Sequence, residues 1–461
     1  YSEDVRALQT LRTQIAHAYR TGDPALSALT TEKERLERRL VAALPQGTVE
    51  DPWREQRLTG LQEALPKRSA FVDLYHHGFW EVGAFVEYRY SAVVVAPDTP
   101  PRLVDLGNAS QLEEQLTAWR QAMLSGTFEA DAARDFLAVL WSPIAEALPM
   151  GTEQLWVSPD AQLARLPWNW LAQKAARGKQ EAGLTLAHIP SARALLRLLA
   201  SASESANDML AGTENVLVVG DVAFGSGSSN FAPLPATVQE AQALSELAET
   251  QQLDTTVLTG SQPDRATVLA ALPSARYAHL ATHGFFYGET EQEVAARTRS
   301  QEAGLRSSSD SRRTLPASVA MRNPLAESGI ALAGANDGPE GTLTAEELVG
   351  LDLSDTRLVT LSACDTGRGR EVTGQGVMGL RASLFAAGAE TLLLSLWKVD
   401  DEATALLMEA FYRGLWSEGL APAAALSQAQ AVVRAYTDES GGRPYAAARY
   451  WAAWVLDGRA W

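Results

Sequence analysis

The sequence holds a single cysteine, Cys364, in 461 residues. One thiol closes no internal disulfide, which fits a reducing compartment. Positive charge is in short supply: 39 Lys and Arg stand against 56 Asp and Glu, for a net charge of −17. An acidic surface argues against nucleic acid or an anionic membrane as a direct partner, and fits solubility and a basic protein partner. No apolar run is long enough to span a bilayer, and no signal peptide or lipidation motif is visible, so a cytoplasmic location is expected. The chain begins at Tyr1 rather than Met, so its first residue is not read as a native start. Histidine is sparse as well. His76-His77-Gly78 has no Cys, Asp or Glu at useful ligand spacing, so no metal is expected there and His76, His77 and His188 are read as structural. The Gly/Ser-rich stretch Asp221 to Asn230 follows a strand but lacks the Lys-Ser/Thr of a P-loop and the spaced glycines of a dinucleotide fingerprint, and reads as a surface loop. No cofactor is expected.

The remainder is ordinary for a globular chain, 46% hydrophobic and 21% charged, with room for two or three domains. Residues 1–48 read as a helical hairpin. Val5, Leu8, Leu11, Ile15 and Tyr19 form one stripe, Thr21-Gly22-Asp23-Pro24 breaks it, and a charged second helix runs through Leu29, Leu36, Leu40 and Leu44. Residues 50–205 alternate strands and helices. After a polar linker, 206–461 does so again, from Asn215-Val216-Leu217-Val218-Val219 onward. Such alternation predicts a largely parallel sheet covered by helices on both faces, with ligands at the carboxyl ends of its strands. Gly288 to Asn323 has no apolar periodicity and is expected to be a long loop, either a tolerated insertion or a regulatory flap or processing site. Thr344 is the expected cap of a helix through Glu346 and Glu347.

Two strand ends carry the chemistry. The strand Arg357 to Ser362 runs into Cys364-Asp365-Thr366-Gly367, and Tyr277-Ala278-His279-Leu280 runs into Thr282-His283-Gly284. A lone Cys with a distant His is a candidate nucleophile and base, although a single Cys is also often a small buried hydrophobe. A nucleophile elbow needs small residues two places to either side, and Thr366 is β-branched, so an elbow is not expected. The order is His then Cys, about 80 residues apart. Papain-like enzymes run Cys then His, and caspases run His then Cys about 50 apart.

The phrases HLATHGFF, NPLAESGIALAGAN, LTAEEL, LVTLSACDTGRG, GQGVMGLRASLFAAGAETLLLSLWKVDDEAT and YWAAWVLDG, in that order across most of 215–458, resemble the CHAT family of caspase- and separase-like cysteine peptidases. The resemblance implies a caspase-like α/β peptidase unit at 206–461, a degenerate caspase-like half at 50–205 with no cysteine of its own, and an N-terminal hairpin resembling the end of a helical repeat array. It implies a substrate-selective cysteine endopeptidase acting on a protein, with His283 and Cys364 as the dyad and the backbone amides of Gly284 and Cys364 as the oxyanion hole. Asp365 is assigned to loop or pocket structure. Ser395, Leu396 and Trp397 match the strand edge that reads substrate by β-addition, with core packing the alternative for Trp397. Asp400 and Asp401 read as helix-start acids or as an acidic pocket for a basic P1 side chain. A catalytically silent scaffold for protein partners and an acyl or amido transferase remain open alternatives. A protein regulator acting through the N-terminal helices is expected to control the dyad.

Overall fold

The computed structural model describes residues 2–21, 23–43, 58–82, 84–126, 130–175, 184–205, 214–227, 231–286, 325, 328–362, 371–372, 376–377 and 379–460. Helices α1 (Ser2–Thr21) and α2 (Leu26–Ala43) form the N-terminal hairpin. Asp23 turns the chain between them, its carboxylate accepting from the Ala25 amide at 2.8 Å. Ile15, Ala18 and Leu36 are its buried stripe. Helix α3 (Leu58–Ala64) leads into an antiparallel meander, β1 (Ser69–Glu81), β2 (Ala84–Ala96) and β3 (Thr99–Asn108). Then come α4 (Ala109–Ser125), α5 (Ala130–Ala147), β4 (Gln154–Ser158), a 3-10 turn at Ala161–Arg165, α6 (Trp168–Ala175), β5 (Thr185–His188) and α7 (Ala192–Ser205).

The C-terminal half continues with β6 (Asn215–Val222), α8 (Ala236–Thr250), β7 (Asp254–Gly260), α9 (Arg265–Ala271), β8 (Tyr277–Leu280), β9 (Gly284–Phe286), β10 (Ser328–Ala331), β11 (Thr342–Thr344) and α10 (Ala345–Leu348). After these follow β12 (Leu358–Leu361), the short pair β13 (Glu371–Val372) and β14 (Gly376–Val377), α11 (Leu380–Ala387), β15 (Thr391–Ser395), α12 (Asp401–Trp416), α13 (Pro422–Ala435) and β16 (Trp454–Gly458).

Among the described residues, eleven strands join one sheet in the order β3-β2-β1-β4-β5-β16-β15-β12-β8-β6-β7. From β1 onward its pairings are parallel, except where β16 runs antiparallel to β15. Strands β12 and β15 are buried along their whole length, as helices on both faces of a parallel sheet require. The mixed α/β, mostly parallel architecture is the one expected. The sheet itself is shared by the two halves, because the C-terminal strand β16 is inserted between β5 of the first and β15 of the second. That pairing joins residues far apart in sequence and leaves no local pattern.

Where the halves meet, three charged or polar side chains are buried together. Arg381 of α11 forks onto both carboxylate oxygens of Asp457 on β16. Its Nη2 also lies 2.8 Å from His188 Nδ1 on β5, and its Nη1 donates to the Ala164 carbonyl at 3.4 Å. His188 is thus structural, as read from the sequence, but it belongs to a junction rather than to one half. His77 Nε2 lies 2.9 Å from Ser91 Oγ, and His76 stacks on Tyr88. Gly288 to Asn323 lies outside the described residues, and no metal-holding His/Cys/Asp/Glu group occurs among the described ones. No described helix is long and apolar enough to cross a membrane.

Candidate active site

His283 stands between β8 of the large sheet and β9 of a small three-stranded one, and the backbone on either side of it is pinned. The Ala281 amide donates to Val219 O at 2.8 Å, and the Ala331 amide donates to His283 O at 2.8 Å. The Thr282 hydroxyl donates to Ala331 O. Gly284 then opens β9, which pairs with β10 through Ile330, and β10 pairs with β11. This three-stranded sheet was not read from the sequence, since its strands are three or four residues long and its partners non-local. Thr344 ends it and caps α10 as expected, with its amide and hydroxyl both donating to Glu347 Oε2 at 2.9 and 2.8 Å.

The imidazole of His283 packs between Phe224 and Phe231, with ring centroids 5.0 and 5.6 Å away. Its Nε2 lies 2.7 Å from the carbonyl oxygen of Ala232. A carbonyl only accepts, so Nε2 carries a proton, and in the neutral form of the ring the lone pair is on Nδ1. Phe224, Phe231 and Ala232 were not singled out from the sequence. The sole visible trace of them was the Gly/Ser-rich stretch Asp221 to Asn230, which contains Phe224 and ends just before Phe231 and Ala232.

Strand β12 lies beside β8, parallel and in register from Leu358 opposite Tyr277 to Leu361 opposite Leu280. In sequence, His283 follows Leu280 by three positions and Cys364 follows Leu361 by three. Cys364 and Asp365 lie outside the described residues. Behind these strand ends runs a buried polar chain. Tyr412 of α12 donates to Thr360 Oγ1 of β12 at 2.7 Å, and its oxygen lies 3.2 Å from His279 Nδ1 of β8. His279 Nε2 lies 2.9 Å from Glu240 Oε1 of α8, off the hydrogen-bonding direction, so the two atoms are close neighbours without a directed bond.

The residues expected to read substrate divide. Strand β15 has no free edge. Ser395 is paired with Trp454, and the Leu396 amide donates to Ala453 O at 2.9 Å. Ser395, Leu396 and Trp397 are 0%, 1% and 3% exposed, and the Trp397 indole donates to Arg449 O. The edge expected here for β-addition is already occupied by β16 and the segment before it, and Trp397 takes its core-packing alternative. Asp400 caps α12, accepting from the amides of Glu402 and Ala403 at 3.1 and 3.0 Å. Asp401, in the first helical turn, has its carboxyl pushed up by partial burial and by Asp400, while Lys398 and His283 pull it down. A cavity of about 260 Å³ between α8 and α12 is lined by Glu240, Glu402, Glu409, Tyr436 and Tyr445 among others, and His283 is not part of its wall.

The family model for the CHAT domain matches residues 130–459, well over half of the chain. The chain belongs to the CHAT domain family. Among curated proteins this CHAT chain is similar to tetratricopeptide repeat protein 28 of Mus musculus, 31% identical over 231 residues, and of Homo sapiens, 29% identical over 228. Each match covers 50% of the chain but only 9% and 8% of those relatives. Among solved structures it is similar to the Saccharomyces cerevisiae separase–securin complex, with 13% identity, TM-score 0.41, and coverage of 70% of this chain and 17% of that one. It is also similar to the Arg-specific cysteine proteinase gingipain R, with 9% identity, TM-score 0.39, and coverage of 73% and 69%. At these TM-scores the likenesses assign no chemistry.

Proposed function

We propose that this CHAT-domain chain is a substrate-selective cysteine endopeptidase with His283 and Cys364 as its dyad. The observation that carries the reading is the pairing of β8 with β12, parallel and in register to Leu280 and Leu361. The two strands whose sequences run on to His283 and Cys364 are therefore direct neighbours. Carboxyl ends of adjacent parallel strands are where ligands bind in such sheets.

The chemistry follows from the tautomer. Nδ1 of His283 takes the thiol proton, and the thiolate attacks a peptide carbonyl. The carbonyl oxygen becomes an oxyanion, for which the amides of Gly284 and Cys364 are the proposed donors. The imidazolium then protonates the leaving amine, and water hydrolyses the thioester. Asp401, which senses His283, is the proposed acidic contact for a basic P1 side chain, with Asp400 shaping the helix start behind it and Asp365 the loop beside the thiol. Glycine at 284 lets substrate approach the backbone closely.

Control is proposed to enter through the N-terminal hairpin. Lys33 of α2 and Arg12 of α1 lie 3.0 and 3.8 Å from the buried Glu346 of α10. Helix α10 directly follows β11, two strands from Gly284. A protein partner bound on the helical side would act through this contact. The test is proteome-wide N-terminal profiling after adding the chain or its Cys364→Ala form. New N-termini that appear only with the intact cysteine support the peptidase. Identical profiles, with and without a partner, indicate a catalytically silent scaffold.

A further inference from the structure

Two stretches remain without a role in this chemistry, the Gly/Ser-rich loop after β6 and the Asn336-Asp337 pair at the end of the LAGAN phrase. The structure brings them together on the loop that holds His283. Asn336 Oδ1 accepts from the Phe231 amide at 3.1 Å, and its Nδ2 donates to Phe231 O at 2.9 Å and Gly225 O at 3.2 Å. Asp337 Oδ1 accepts from the amides of Ser226 and Gly227 at 3.0 and 2.9 Å. The backbone adds Asn336 N to Phe224 O at 2.6 Å and Gly334 N to Ala223 O at 3.0 Å. The glycines make room for this approach. A Cβ at Gly225, whose φ is +87°, would meet an Asp337 carboxylate oxygen at 1.9 Å, and one at Gly227 would meet Asn336 O at 1.9 Å. The clamp therefore holds the two described stretches, Phe224 to Gly227 and Phe231-Ala232, whose Phe224 and Phe231 flank the His283 ring. The residue after Phe231 supplies the carbonyl that fixes its tautomer.

We propose that Asn336 and Asp337 are positioning residues for the catalytic histidine, acting through Phe224 to Gly227 and Phe231-Ala232 to keep the His283 proton on Nε2 and the basic lone pair on Nδ1. The proposal rests on the peptidase reading for its catalytic meaning, but its structural core does not need it. Asn336 is suited to the task because one amide meets a donor and two acceptors at once. An aspartate there would turn a carboxylate oxygen toward two carbonyls, whereas asparagine at 337 would still present an acceptor to the Ser226 and Gly227 amides. Asp401, whose carboxyl is pushed up by burial and Asp400 and pulled down by His283, stands outside the clamp.

The test uses the full chain labelled with ¹⁵N-histidine, with the His283 resonances assigned by loss in His283→Ala. Two-bond nitrogen–proton correlations report the tautomer. Alkylation of Cys364 by iodoacetamide, at a pH of about 6 where an unassisted thiol is almost wholly protonated, reports the coupling to the thiol. The wild type and Asp337→Asn are expected to show His283 as the Nε2–H form. Asn336→Asp and Asn336→Ala are expected to show mixed tautomers and alkylation slower on the order of tenfold, with thermal transitions that remain cooperative. An unchanged His283 tautomer in both Asn336 variants would overturn the proposal. Equal alkylation of wild type and His283→Ala would instead overturn the dyad, leaving the clamp to be judged by the tautomer alone.

Discussion

Arg381, Asp457 and His188 show most plainly what a single residue contributes here. The guanidinium on α11 is buried, its carboxylate partner is on the strand β16, and the imidazole comes from β5 in the other half of the sheet. Removing one member leaves an uncompensated buried charge, so Arg381→Ala should cost about 3–5 kcal/mol in urea denaturation near neutral pH. Burial pushes the His188 pKa down, against the pull of Asp457. The unfolded chain therefore takes up a proton that the folded one refuses. That contribution is full above the unfolded value of about 6.5 and is lost as pH falls through it toward the folded pKa. Burial opposes the charge on Asp457, but Arg381 and His188 outweigh it and hold its pKa below normal. Its contribution is therefore present above about pH 3.9 and lost only in stronger acid. Between neutrality and about pH 5 the urea midpoint should fall, and His188→Gln should flatten that fall. Tyr412→Phe strips the donor from Thr360 and the acceptor from His279, and should cost about 1–3 kcal/mol by the same denaturation. None of these partnerships was visible in the sequence, because each joins positions remote from one another along the chain.

Single elements were much easier to read. The strands ending before His283 and Cys364 announced themselves as short apolar runs bounded by turns, and the cap at Thr344 followed from residue type. What failed was neighbourhood. Ser395 and Leu396 were placed correctly on a strand and its exit, yet the edge they were expected to offer is filled by β16, whose pairing has no local signature. The three-stranded sheet beside His283 escaped notice for the same reason. Its middle strand makes a sharp prediction. A Cβ at Gly329 would meet Leu343 O at 2.3 Å and the Phe285 ring at 2.5 Å. Gly329→Ala should therefore spread β10 from β11, destabilise by about 1–3 kcal/mol, and disturb the His283 resonances in the labelled protein. A variant with wild-type stability and an unshifted His283 would show that this sheet does not brace the histidine.

At the scale of the molecule, one sheet runs through two α/β halves, which β16 joins. Truncation before Trp454 would leave β5 and β15 facing each other with unpaired edges, a recognised route to aggregation. The truncated chain should lose its cooperative thermal transition and precipitate, while truncation within α1 should leave the sheet intact. The mostly parallel α/β class and the two candidate catalytic strands were legible at this scale, whereas the loop-borne cradle of His283 and the junction of the halves were not. The central claim is that His283 activates Cys364, and the single cysteine makes it directly measurable. The decisive measurement is the rate of iodoacetamide incorporation into the intact chain across pH, in wild type and in His283→Ala. The account predicts that wild-type alkylation persists well below the ordinary thiol pKa of about 8.5, while His283→Ala follows the ordinary thiol curve. Superimposable curves for the two proteins would contradict it.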